Sequence, residues 1–287
     1  MRLVHISDSG ALSLVGPLHN DVPDYAILSH RWLERGEGEV TFKDFPNPIA
    51  KNKPGYAKLQ FCADQARRDR LCHFWIDTCC INKSSDAELS KSINSMFRWY
   101  NNARTCYVYL HDVPSVTDDW EALFTSSIWF TRGWTLQELL APKVVEFFTR
   151  DGQRLGDKRS LKGQIHKVTN IPIPALLGER LSSFSVNERI QWAKSRTTTY
   201  EEDSAYCLLG IFDVSMPVVY GEGRKKAIFR LEKEIYGFIL KPVPDSNIPF
   251  RRDQDFVDVG ISDGLLSRCS VPASRTALVG LGGVGYV

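Results

Sequence analysis

The stretch YAILSHRW, residues 25–32, decides how the chain is folded. An apolar run, Tyr25 to Leu28, ends in Ser29, His30 and Arg31, as in a strand buried on both faces whose carboxyl end opens onto a polar loop. Open α/β sheets place their ligands at that end. Working outward, Pro54-Gly55 introduces an amphipathic helix with Leu59, Cys62, Ala63 and Ala66 on its apolar side and Lys58, Asp64, Arg67 and Arg68 opposite. CHFWIDTCCI (72–81), TCYVYL (105–110) and KVVEFF (143–148) predict three more strands. Between them, one helix starts at a capping box, Ser85 with Glu88, and carries Leu89, Ile93, Met96, Phe97 and Tyr100 as a stripe. Another holds Trp134 and is stopped by Pro142. Strands alternating with helices predict a doubly wound α/β domain over residues 1–150, with a mainly parallel sheet and helices on both faces. Its start, MRLVHISDSGALSLVG, predicts a hairpin turning at Ser9-Gly10.

Past residue 150 the apolar period becomes helical. A second capping box, Ser185 with Glu188, precedes ERIQWAKSR, and Ala205, Leu208, Leu209 and Phe212 stripe a further helix. A longer one from about Glu222 sets Ile228, Leu231, Ile235 and Phe238 against Arg224, Lys225, Lys233 and Glu234. Residues 151–240 therefore form a helical extension too apolar to stand apart from the sheet, and 241–275 a linker.

Thirty-six basic and thirty-four acidic residues give a net charge of +2, so no global field draws the protein to nucleic acid or to an anionic membrane. No run is long and apolar enough for a membrane span and the first residues lack a signal peptide's apolar core, which predicts a cytoplasmic protein. The seven cysteines show no CxxC pair, so neither a disulfide framework nor a metal site is expected. Cys79 and Cys80 with His73 or His111 offer only a weak cysteine-nucleophile pattern.

Three blocks, YAILSHRW, FWIDTCCINKSSDAELSKSINSMFRWY and RGWTLQELLAP, occur in this order, and TTTYEEDSAYCLLGIFDVSMPVVYGEG with KAIFRLEKEI follows them. Together they resemble the heterokaryon-incompatibility (HET) domain of filamentous fungi and the helical region that accompanies it, over about residues 1–240. The resemblance implies a fungal programmed-cell-death effector that acts through self-association, with NLR-type receptors or incompatibility partners. Residues 276–287 are similar to the opening of a nucleotide-binding domain cut off at its phosphate loop. Gly280 and Gly285 have the loop's spacing, but Tyr286 and Val287 stand where lysine and serine or threonine are needed, so no bound nucleotide is expected there.

The HET domain is in turn similar to the TIR domain, a flavodoxin-like α/β module. By that similarity RGWTLQELL matches the tryptophan-to-glutamate segment of TIR domains, which implies Glu138 as the catalytic carboxylate and NAD as a substrate, with no tightly bound cofactor. Trp134 would then wall the pocket, and Ser29, His30 and Arg31 would meet phosphate and ribose. The residues alone leave other roles open: Trp134 as core, Glu138 paired with Arg132, and the whole chain as a non-enzymatic oligomerisation module. Asp77 either faces the ligand crevice, caps the following loop, or holds Arg98 or Arg104.

Overall fold

The computed structural model describes residues 1–33, 38–45, 47–114 and 119–239. Among these, seven strands form one sheet: β1 (Leu3–Ile6), β2 (Leu12–Val15), β3 (Ala26–His30), β4 (His73–Trp75), β5 (Thr105–Leu110), β6 (Val145–Thr149) and β7 (Arg154–Asp157). Their order is β2-β1-β4-β3-β5-β6-β7. The four central strands, β4, β3, β5 and β6, run parallel; β1, β2 and β7 complete the edges antiparallel. The hairpin turns where expected, with Gly10 at φ +85°, and β1 joins the sheet by pairing with β4.

Eleven α-helices are described: α1 (Tyr56–Arg68), α2 (Asp77–Cys80), α3 (Asp86–Asn102), α4 (Trp120–Ser126), α5 (Thr135–Leu140), α6 (Lys162–Thr169), α7 (Ile173–Leu176), α8 (Val186–Gln191), α9 (Asp203–Tyr206), α10 (Leu209–Phe212) and α11 (Arg224–Ile239). Alternation along the strands assigns them to two layers. Ser29, Val108 and Phe147 share one face, where Trp129 meets Phe147 at 5.8 Å. His30, Tyr109 and Phe148 share the other, where Phe61 of α1 meets Tyr109 at 5.0 Å and Phe148 at 5.2 Å. The sheet is covered on both sides, which is why β3 and β5 are buried throughout and read as continuous apolar runs.

The chain passes from β3 through α1 to β4, then through α3 back across β3 to β5. Strand order therefore reverses at β3, so the carboxyl ends of β3 and β5 form a topological switch point, the ligand position in open α/β sheets.

Several expectations need correction. The run at 72–81 is a strand only as far as Trp75; the chain then bends at Ile76 into the single turn of α2, which a period cannot reveal because it is four residues long with three of them buried. Lys58, expected on the exposed side of α1, is 3% exposed, since a glutamate from the preceding loop reaches it. The first capping box is half formed: Ser85 accepts from the Glu88 amide at 3.4 Å, but the Glu88 carboxylate turns to the Asn82 amide and to Arg2. The second is complete. The stripe from Ala205 to Phe212 is split between α9 and α10, and β7, too short and polar to be read as a strand, extends the sheet beyond residue 150. The linker at 241–275 and the glycine-rich segment at 276–287 lie outside the described residues.

Candidate functional site

At the carboxyl end of β3, alternation sends neighbouring side chains to opposite faces, and each meets a carboxyl group. On one face the Ser29 hydroxyl donates to Glu138 and accepts from the Trp129 indole at 2.9 Å. The Tyr100 hydroxyl, which donates to the Leu28 carbonyl at 3.0 Å, lies beside the same carboxyl group. Glu138 is 7% exposed. Burial raises its pKa most and the Asp77 charge adds to this, against the Ser29 and Tyr100 hydroxyls and the Arg132 charge; the result is about 8.

On the other face His30 Nε2 lies 3.1 Å from Asp77 Oδ1. Asp77 Oδ2 accepts from the Trp32 indole at 2.8 Å and from Lys83 at 3.2 Å. Burial alone would raise the Asp77 pKa, but the Lys83 ammonium and His30 outweigh it and hold the carboxylate well below its ordinary range. Asp77 contacts neither arginine considered for it: Arg104 pairs with Asp24 and Arg98 donates to Ser95. Behind His30, the Lys58 ammonium sits 3.1 Å from Nδ1, donates to the Arg31 carbonyl at 2.8 Å and pairs with buried Glu39. Burial lowers the Lys58 pKa, Glu39 opposing.

The helix that carries Glu138 is held from the carboxyl-terminal half of the chain. Arg196, 3% exposed, donates to the Arg132 carbonyl and the Thr135 hydroxyl, each at 2.9 Å, and to the Trp192 carbonyl at 3.2 Å. The Gly133 amide donates to the Thr197 carbonyl at 2.9 Å. A β-carbon at Gly133 would stand 2.6 Å from the Thr198 methyl, so only glycine admits this close approach. At the other end of α5, Lys158 donates to the Leu139 and Pro142 carbonyls at 2.9 and 2.8 Å, satisfying groups a helix terminus leaves open. Trp134 is the residue before α5, and its indole donates to Asp203 of α9 at 3.0 Å, with Tyr220 on the other oxygen at 2.8 Å.

Thus Ser29, His30, Asp77 and Glu138 are gathered at one edge, with Arg31 in the same loop. Trp134 is tied toward the helical extension instead of to Glu138. Arg132 does not pair with Glu138; its guanidinium donates to Thr199. Cys79 and Cys80 are buried, and burial pushes the Cys79 thiol well up, so Cys79 presents no thiolate; the His73 ring lies against His5, 5.0 Å away and tilted. Sequence reasoning gave no site role to Trp129, Tyr100, Lys58, Glu39, Lys83 or Arg196, of which only Lys83 and Tyr100 lie within the quoted blocks. Only the buried indole of Trp129, which needs an acceptor, gave a signal. A depression lined by Asp24, Arg104 and Lys143 lies at the amino edge of the strands, away from this cluster.

The family model for heterokaryon incompatibility protein (HET) matches residues 25–118, the segment that supplies Ser29, His30, Lys58 and Asp77. The vegetative incompatibility protein HET-E-1 of Podospora anserina is 52% identical over 242 residues, which cover 82% of this chain and 18% of that protein. The chain thus spans less than a fifth of that relative's length. No solved structure matches it. The family model and the Podospora likeness agree, and on these two findings the chain is a fungal HET-domain protein.

Proposed function

We propose that this chain is a cell-death effector of fungal heterokaryon incompatibility, acting through self-association, whose chemical output is hydrolysis of NAD at the Glu138 wall of the crevice. One observation carries the chemistry: a buried carboxyl group, fixed by a serine that is itself fixed by a tryptophan, at the switch point of the sheet. Structural carboxylates of this kind normally carry a cationic partner, and Glu138 has none among the described ion pairs.

NAD suits such a group. Breaking the bond between ribose C1′ and the nicotinamide nitrogen returns the electron pair to the ring, which leaves as a neutral base without a general acid. The ribose becomes an oxocarbenium ion, water adds at C1′, and the proton lost from that water goes to the carboxylate or to solvent. Ionised Glu138, held where water is excluded, stabilises the positive charge as it moves onto the ribose. The uncleaved pyridinium is itself a cation, so its arrival favours ionisation of Glu138, and substrate binding couples to loss of the carboxyl proton.

Nicotinamide release by the purified protein tests this. Glu138→Ala is expected to reduce release by about a hundredfold or more while leaving the circular dichroism unchanged. Release that persists in the variant, or cells that die with constant NAD, would remove the enzymatic role. A second role, a non-enzymatic oligomerisation module, draws support from α11, where Phe229 and Tyr236, seven residues apart on one side, are 63% and 50% exposed. Charged replacements at both positions would abolish assembly if that face mediates it.

A further inference from the structure

Trp32 is the most exposed of the chain's seven tryptophans, at 39%. It is also immobilised. Its indole nitrogen donates to Asp77 at 2.8 Å, and the Lys83 ammonium stands 3.4 Å from the centre of its ring. Asp77 is in turn fixed by His30, so the indole is anchored to the end of β3 through two residues. The Lys83 ammonium covers one face of the ring, and the part of the indole left open beside it is the platform on which a nucleobase can stack.

We propose that Trp32 and Lys83 form the subsite for the adenine nucleotide end of the substrate, with the purine stacked on the indole and phosphate meeting the ammonium. This rests on the NAD reading above and gives the dinucleotide a direction. A pyridinium ring laid on Trp32 would carry its positive charge next to the Lys83 ammonium, whereas neutral adenine would not. Phosphate beside the base gains from the same ammonium. The nicotinamide end is thereby directed to the opposite wall, where the carboxyl group of Glu138 waits. Asp77, the anion nearest this subsite, already accepts from His30, Trp32 and Lys83, so three donors offset its charge. Trp134 is the less exposed of the two rings and is tied to α9 through Asp203, away from Lys83.

The test is binding of AMP and of nicotinamide mononucleotide to the full chain, by calorimetry and by tryptophan quenching. AMP is expected to bind and to quench. Trp32→Ala should weaken AMP at least tenfold and Trp32→Phe, which keeps an aromatic face, by less, while neither changes the affinity for nicotinamide mononucleotide by more than twofold. In steady-state cleavage the same alanine variant should raise KM for NAD about tenfold with kcat within twofold. AMP binding that is absent in the wild type, or equal in wild type and Trp32→Ala, overturns the proposal, as does a loss confined to nicotinamide mononucleotide. AMP binding that depends on Trp32 in a protein that releases no nicotinamide would uphold the subsite and sink the hydrolysis, so the two claims fail separately.

Discussion

Ser29 and His30 are adjacent, yet each leads to a carboxyl group in the opposite condition. Glu138, beyond Ser29, meets hydroxyls and the distant Arg132 charge, and burial lifts it to about 8. Asp77, beyond His30, is half-buried, and a lysine, an indole and the imidazole converge on it and keep it ionised. Depth and donor chemistry both separate them: Glu138 lies deeper, and only Asp77 has a cation and an indole as donors. A pair of titratable groups driven apart in this way marks a division of labour: Asp77 is a fixed anion that organises the loop after β3, and Glu138 is the group whose proton is free to respond to a ligand.

The largest expected effect concerns stability against pH. A carboxyl group whose folded pKa lies above its ordinary value of 4.5 stabilises the fold fully below that value and loses the contribution as pH rises through 8. The loss is on the order of 1.4 kcal/mol for each pH unit in between. Glu138→Gln removes it, so in urea unfolding the variant should gain on the wild type steadily from pH 5 to pH 8.5, ending several kcal/mol ahead by the same rule. Parallel curves would mean that Glu138 is ionised in the resting fold. Asp77→Asn should have the opposite sign and a smaller size. A depressed pKa stabilises above the ordinary aspartate value and is lost only as pH falls through the folded one, so at pH 7 the variant should be about 1–3 kcal/mol less stable. A variant that matches the wild type at pH 7 would show that Lys83 and His30 do not hold the carboxylate.

Much of this frame is visible in the chain itself. Burial on both faces turns β3 and β5 into uninterrupted apolar runs, and Pro142 marks the end of α5. Period detection fails where elements are one turn or four residues long, as in α2 and β7. The carboxyl groups themselves were legible as Glu138 and Asp77, but their partners were not. Ser29 and Glu138 are 109 residues apart, and a helical wheel places Lys58 in water because it cannot see Glu39 on the neighbouring loop. Arg196 is invisible for the same reason: the hydrogen bonds that tie it to α5 go to a carbonyl and a hydroxyl more than sixty residues away, and backbone carbonyls carry no sequence signature.

The smallest effect is the sharpest test of the comparison, because it asks whether the two walls sense each other. If ionised Glu138 is the working form, kcat/KM for NAD rises with unit slope as pH increases and levels off near 8. The Asp77 charge contributes to that high value and the Arg132 charge opposes it. Asp77→Asn should therefore move the inflection to lower pH and Arg132→Gln to higher pH, each by roughly half a unit for charges interacting at a partly solvated crevice. A common shift in one direction would point to loosening of α5 instead of electrostatics, since Arg132 lies at its entry and loosening admits water from either side. Opposed shifts have no such explanation: they require both charges to act on one carboxyl group across the end of β3.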